Sequence, residues 1–327
     1  MEERELGKTG RAVSVIGLGT WQLGADWGEV AEADALATLE AAAAAGVTFL
    51  DTADVYGDGR SERLIGRFLT ANPALPMIVA TKMGRRVALD PELYTLANFR
   101  EWTDRSRDNL GTETLDLVQL HCPPTPVYAR DAVYDALDTL VAEKRIAAYG
   151  VSVETCAEAL TAIARPGVAS VQIIVNVFRR KPLEQVLPAA KAAGVGIIAR
   201  VPLASGLLSG RYTSDTTFGA SDHRTFNRHG EAFDAGETFS GVDYETGVEA
   251  AREFAALAPD GATSAQAALA WVIQQPGVTT VIPGARSPEQ ARQNAAAAAV
   301  RPFTPAELGA IESIYDRRIR AQVHDRW

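Results

Sequence analysis

An aspartate, a tyrosine, a lysine and a histidine follow three apolar runs in this 327-residue chain. Val47 to Leu50 leads into Asp51, and Tyr56 comes next in a stretch closed by Gly57. Met77-Ile78-Val79-Ala80-Thr81 ends at Lys82, and Leu117-Val118-Gln119-Leu120 ends at His121. Such a set can place a proton on a substrate oxygen. A tyrosine can give that proton when its pKa, ~10 unperturbed, is drawn toward the working pH. A nearby ammonium draws it down by favouring phenolate. Lys82 is the candidate ammonium, Asp51 the carboxylate that would hold it, and His121 a group to orient and polarise the substrate oxygen. Singly, each has a duller reading: a half-buried packing Tyr, a solvent-facing Lys, a core His. Together, at successive run ends, they point to proton handling that a fold has no structural need to assemble.

Eight short apolar, β-branched runs can carry these residues: 15–21, 47–51, 77–82, 115–121, 146–152, 170–176, 195–202 and 279–283. Helical patterns separate them, at 31–45, 98–110, 131–144, 154–164 and 183–193, with two more at 245–257 and 264–274 before the last run. Repeated βα units of this number predict a (β/α)₈ TIM barrel, a single domain over residues 1–327, with chemistry at the strand C-termini. The first residues do not fit a βα unit. Runs 4–6 and 12–15 flank Gly7-Lys8-Thr9-Gly10, a plausible hairpin turn. Residues 211–243 show little periodicity, and a long irregular stretch in a compact domain is more often functional than idle.

Composition narrows the field. A net charge of −9 argues against nucleic acid and anionic membrane as main partners, so a phosphate site must be a local basic patch. No run approaches the ~18 apolar residues of a membrane span, and Met1-Glu2-Glu3-Arg4 offers no signal region. Cys122 and Cys156 do not make a disulfide scaffold, so a cytoplasmic protein is expected, a monomer or small homo-oligomer. His223 and His229 stand at no recognised metal spacing, so no metal site is expected, and Cys122 reads as a small buried hydrophobe. Gly17-Leu18-Gly19 has Gln22 where a dinucleotide fingerprint needs its third glycine, which excludes a Rossmann site there. Gly284-Ala285-Arg286-Ser287 instead opens a helix, whose free N–H groups and fixed guanidinium suit a phosphate. The C-terminal Trp327 either folds back over the cavity or belongs to a frayed end.

The segment from Gly46 to Gly66, with Asp51, Tyr56, Lys82 and His121 in order, resembles the aldo-keto reductase signature and tetrad. Leu6-Gly7-Lys8-Thr9-Gly10, Gly17-Leu18-Gly19-Thr20-Trp21, Pro202-Leu203-Ala204-Ser205-Gly206 and Ile282-Pro283-Gly284-Ala285-Arg286 extend the resemblance over essentially the whole chain. It implies that the hairpin plugs the barrel bottom and that the cofactor is NADP(H). By the same resemblance, Ser152 and Gln172 bind the carboxamide, and the 203–208 loop follows the pyrophosphate with Ser205 and Gly206 nearest. Arg286 would hold the 2′-phosphate, with Gln290 and Asn294 against the adenine. Gly19, Thr20, Trp21, Asp51, Arg200, Val201, Pro202, Leu203, Leu208, Gly210, Arg211, Ile282, Gly284, Ala285 and Gln293 complete the implied cofactor set, and Trp21, Tyr56 and His121 the substrate set. Two positions depart from the pattern. Val153 replaces the usual Asn after the serine, and Arg200 stands where many members carry a ring-stacking Tyr; a guanidinium can also stack. The implied activity is NADPH-dependent reduction of an aldehyde or ketone. Its competitors are a redox-sensing, nicotinamide-binding subunit of a membrane complex with little turnover, and an unrelated sugar-phosphate barrel enzyme.

Overall fold

The alternating apolar runs fold as a ring of parallel strands in the computed structural model, which describes residues 1–24, 30–220 and 222–327. Ser221, within the long 211–243 stretch, lies outside them. A two-stranded antiparallel hairpin comes first, β1 (Glu3–Glu5) with β2 (Ala12–Ser14). The barrel strands are β3 (Leu18–Gly19), β4 (Phe49–Asp51), β5 (Ile78–Met83), β6 (Leu117–His121), β7 (Tyr149–Ser152), β8 (Val168–Ile174), β9 (Gly196–Arg200) and β10 (Thr280–Val281). They pair in chain order, and the bridges Ile16↔Val281 and Gly19↔Gly284 join the last to the first. Helices α1 (Glu32–Ala44), α2 (Arg60–Ala71), α3 (Leu96–Leu110), α4 (Asp131–Ala142), α5 (Cys156–Ile163) and α6 (Val186–Ala193) follow strands β3 to β8 in turn. The short α7 (His223–Phe226) sits in the long loop; α8 (Tyr244–Ala255) and α9 (Ser264–Ile273) precede β10, and α10 (Pro288–Ala296), α11 (Pro305–Ile314) and α12 (Arg320–Val323) follow it.

Period-two alternation decides what each strand aims into the barrel. Phe49, Ala80, Leu117, Ile198 and Ile282 form a buried interior cluster with Leu6 and Val13 of the hairpin, apart from the large core beneath the helices. The hairpin is therefore the plug. Gly7 makes the fit possible, since a Cβ there would lie 1.9 Å from the Ala169 carbonyl oxygen and 2.4 Å from the Gly196 nitrogen. Two residues further along each strand, on the same inward face, stand Asp51, Lys82 and Gln119, with His121 beyond. Apolar plug below, polar ring above: this is the stacking that creates the site.

Most strands are shorter than the runs read from sequence, β7 for example starting at Tyr149 and not at 146. The run at 170–176 begins pairing at Val168 and ends at Ile174, the register at which it meets β7 and β9. The first and last barrel strands shrink to two residues each; the two segments are tied to each other by the single bridges Ile16↔Val281 and Gly19↔Gly284 and by N–H bonds from Gly17 and Gly19 to the Val281 and Pro283 oxygens, 2.8 and 3.1 Å. No helix among the described residues is long and apolar enough to cross a membrane.

Candidate active site

Lys82 is buried at the barrel mouth, and each of its three N–H donors meets an acceptor. Nζ lies 2.5 Å from Asp51 Oδ1, 2.8 Å from the Thr52 carbonyl oxygen and 3.4 Å from Tyr56 Oη. The other Asp51 oxygen accepts from Gln172 Nε2 at 2.7 Å and from Gln119 Nε2 at 3.3 Å. A buried charge survives only when paired and saturated in this way. Burial would lower the Lys82 pKa, but Asp51 and Tyr56 more than offset it, so the amine stays ammonium. Tyr56 corrects the sequence expectation. Burial raises its pKa above 10, and Lys82 opposes that rise without reversing it. The hydroxyl is therefore held protonated, as a proton donor requires. His121 sits edge-on to Tyr56, ring centroids 5.9 Å apart. Burial, then the Arg85, Lys82 and Arg200 charges, hold its pKa well below 6.5, so the ring is neutral, and its Nδ1 has no protein partner among the described residues.

Behind Tyr56 lies a second carboxyl pair. Asp54 is 2% exposed, and its Oδ1 is buried without a partner among the described residues. Burial first, then Glu62, push its pKa up to about 7 against the pull of Arg86 and Arg105. Both Glu62 oxygens are engaged, by Thr81 Oγ1 at 2.6 Å and Asn109 Nδ2 at 2.8 Å.

These groups face a cavity of about 560 Å³, a size typical of small-molecule sites. Of the residues assigned from sequence, Gly19, Thr20, Trp21, Asp51, Tyr56, His121, Ser152, Gln172, Arg200, Val201, Pro202, Leu203, Ser205, Gly206 and Arg211 line it, as do Ile282, Gly284, Arg286, Gln290, Gln293 and Asn294. Lys82 lies beneath it. Leu208 and Ala285 are buried packing residues set back from the wall, and Gly210, also off the wall, takes the left-handed conformation that ends the loop (φ +70). Trp21 stacks on Tyr56 at 6.1 Å, so it does face the cavity. Val201, β-branched at φ +52, and Ser205 at φ +56 hold the 201–206 turn in a strained conformation of the kind that concentrates at functional sites.

At the other end of the cavity, Ser287 caps α10, accepting from the Gln290 N–H at 3.3 Å. Gln290 Oε1 accepts from the Arg286 N–H at 2.8 Å, and Asn294 Nδ2 donates to the Gly284 oxygen at 3.1 Å, so the two amides shape the turn that presents Arg286. The structure adds groups that sequence reasoning missed. Glu237, from the 211–243 loop, lines the cavity and forms ion pairs with Arg200 at 3.4 Å and Arg85 at 3.6 Å. Glu154 takes Arg200 at 2.8 Å and Arg85 at 3.1 Å. His223 of the same loop stands 5.5 Å from Trp21, and burial holds its pKa down at about 4. Cys122 also borders the cavity, its thiol pushed up by burial to about 12, which leaves it an inert small group. The C-terminal residue packs behind the loop, not over the cavity. Trp327 is buried beneath the Arg179 guanidinium, 3.5 Å from its ring centroid, and against Gly236 and Gly241.

Comparison with known proteins agrees with this fold. Residues 15–316 match the model of the Aldo/keto reductase family. The chain is 29% identical over 299 residues to the aldo-keto reductase YhdN of Bacillus subtilis, covering 89% of this chain and 86% of that one. It superposes on the glycerol dehydrogenase AKR11B4 from Gluconobacter oxydans with a TM-score of 0.80 at 29% identity, covering 97% and 96% of the two chains. A Klebsiella pneumoniae aldo-keto reductase, solved in complex with NADPH, matches with a TM-score of 0.71 at 26% identity and 96% coverage of each.

Proposed function

The chain belongs to the aldo/keto reductase family, and from that premise we propose that it reduces an aldehyde or ketone with NADPH, Tyr56 giving the proton. The observation that carries the reading is Lys82 Nζ, fixed between Asp51 and the Tyr56 hydroxyl at the floor of the cavity. The cavity suits the cofactor. Arg286 and Arg211 line it beside the α10 N-terminus, whose dipole favours an anion, and buried lining atoms (Gln22 Oε1, His121 Nδ1, Arg200 Nε) have no protein partner among the described residues. The NADPH found with the Klebsiella relative supports the same choice.

NADPH, when bound, supplies the hydride. The protein's own part is the proton and the charge. The protonated Tyr56 hydroxyl donates to the carbonyl oxygen, and the phenolate left behind is stabilised by the Lys82 ammonium. Asp51 keeps that ammonium in place, and neutral His121 fixes the direction of the oxygen without competing for the proton. Acid catalysis of this kind is worth about 10²–10⁴ in rate. A panel of carbonyl compounds, followed at the reduced-nicotinamide absorbance band with NADPH and with NADH, tests the reading. Failure of every carbonyl to oxidise bound NADPH would sink it.

A further inference from the structure

The catalytic reading leaves Glu237 unused. It reaches the cavity from outside the barrel strands, on the 211–243 loop, and its backbone is pinned there: the Ser205 hydroxyl donates to the Glu237 carbonyl oxygen at 2.9 Å and accepts from the Phe239 N–H at 3.1 Å. The carboxylate is thus positioned by its backbone. Its contacts to Arg200 and Arg85, 3.4 and 3.6 Å, are ion pairs longer than a tight charge-assisted hydrogen bond, and although burial raises its pKa and Glu154 shares a hydrogen bond with it, acceptor capacity remains for a ligand. The guanidiniums have less to spare. Arg200 donates to Glu154 at 2.8 Å and to the Val153 oxygen at 3.1 Å, which leaves its Nε without a protein partner among the described residues, and Arg224, on the wall from the 211–243 loop, is paired in two places with Asp222.

The Arg85 and Arg200 guanidiniums are each paired with both Glu154 and Glu237, and the flanking imidazoles of His121 and His223 are neutral. A substrate carboxylate set against this cluster would lose its water and meet guanidiniums already paired with Glu154 and Glu237, which is costly. A hydroxyl would lose little and meet an acceptor carboxylate. Trp21 and Tyr56 add a stacked aromatic wall, against which the C–H face of a small hydroxylated chain can lie.

Resting on the carbonyl-reductase reading, we infer that Glu237 is a specificity-determining residue whose carboxylate accepts a hydrogen bond from a substrate hydroxyl. The preferred substrates are then small, neutral hydroxy-aldehydes or hydroxy-ketones, and carboxylated carbonyls are disfavoured.

The test compares kcat/KM with NADPH at pH 8 for glyceraldehyde, propanal and glyoxylate, in the native protein, Glu237→Gln and Glu237→Asp. Tryptophan-fluorescence titration with NADPH and a thermal melt establish that each variant is folded and loaded. Native protein should prefer glyceraldehyde to propanal, with glyoxylate last. In Glu237→Gln the glyceraldehyde-to-propanal ratio should fall about tenfold, the loss of one charge-assisted hydrogen bond. The glyoxylate-to-propanal ratio should rise in the same variant, because Arg200 and Arg85 lose a counter-charge; Glu237→Asp should recover part of the native order. A merely structural Glu237 would depress all three substrates together. Unchanged ratios in a variant that still binds NADPH, or a native preference for glyoxylate, would overturn the inference and leave the reductase reading standing. Absence of turnover with all three would remove the reductase reading and this inference with it.

Discussion

Asp54 offers the most quantitative check on how this site is built. Its carboxyl is buried two residues before Tyr56, with one oxygen unpartnered and Glu62 nearby, and its pKa is raised from 3.8 to about 7. An acid whose folded pKa lies above its unfolded one imposes nothing below pH 3.8, where both states are protonated. Stability is then lost progressively as pH rises to about 7, and the loss is complete above it. At 1.36 kcal/mol per pH unit, the interval from 3.8 to about 7 amounts to about 4 kcal/mol. Asp54→Asn keeps the shape and cannot ionise. The variant should match the native protein near pH 4 and exceed it by up to ~4 kcal/mol at pH 8.5. With an unfolding entropy of ~2.1 cal/mol/K per residue, that is a Tm higher by about 6 °C. Melting curves at pH 4, 6 and 8.5 would reveal the divergence. A gap that stays constant with pH, or widens toward acid, would mean that Asp54 is ionised in the fold and that its burial is compensated by Arg86 and Arg105.

Tyr56→Phe should lower turnover at least ~10²-fold while NADPH affinity, read by fluorescence, stays within a few-fold; near-native turnover would make Tyr56 a packing residue. Lys82→Met should nearly abolish reduction, because the phenolate left by proton transfer would lose its ammonium, and Asp51→Asn should be milder; steady-state kinetics giving the opposite ranking would show the charge arrangement to be wrong. Arg286→Ala should weaken NADPH binding about ten- to a hundred-fold with little effect on NADH, the value of one charge-assisted phosphate contact. Equal losses for both cofactors in the titration would remove Arg286 from the phosphate site.

The residues legible in sequence were those whose position follows from periodicity. Asp51, Lys82 and His121 each end a strand-length apolar run, and a barrel exposes strand ends on one face, so their convergence could be anticipated. Gln119 was missed although the signal was present: it lies two residues before His121 and two after Leu117, on the same inward face, and its polarity within an apolar run was the cue. Glu237, Glu154 and Arg85 had no such signal. They come from loops, where no repeat fixes direction, and only the fold brings them within ion-pair distance. The Tyr56 pKa was misjudged because the partner, Lys82, is readable in sequence, whereas the desolvation that outweighs it is a property of the packed site.

The two-residue strands β3 and β10 make the barrel a ring with a seam. Seven of its junctions are ladders between neighbours in sequence order; the eighth joins residues 16–19 to residues 281–284 by single bridges, across more than 260 positions of chain. Contacts so distant in sequence form late and open early, since closing so large a loop costs entropy that few bonds repay. The segments assigned to cofactor binding, Gly19-Thr20-Trp21 on one side and Ile282 to Arg286 on the other, flank this seam. A dinucleotide lying across both would act as a clasp, adding its binding energy to the weakest closure in the ring. Amide exchange should then be fastest at residues 16–19 and 281–284 among the strands of the unliganded protein, and NADPH should slow it there first.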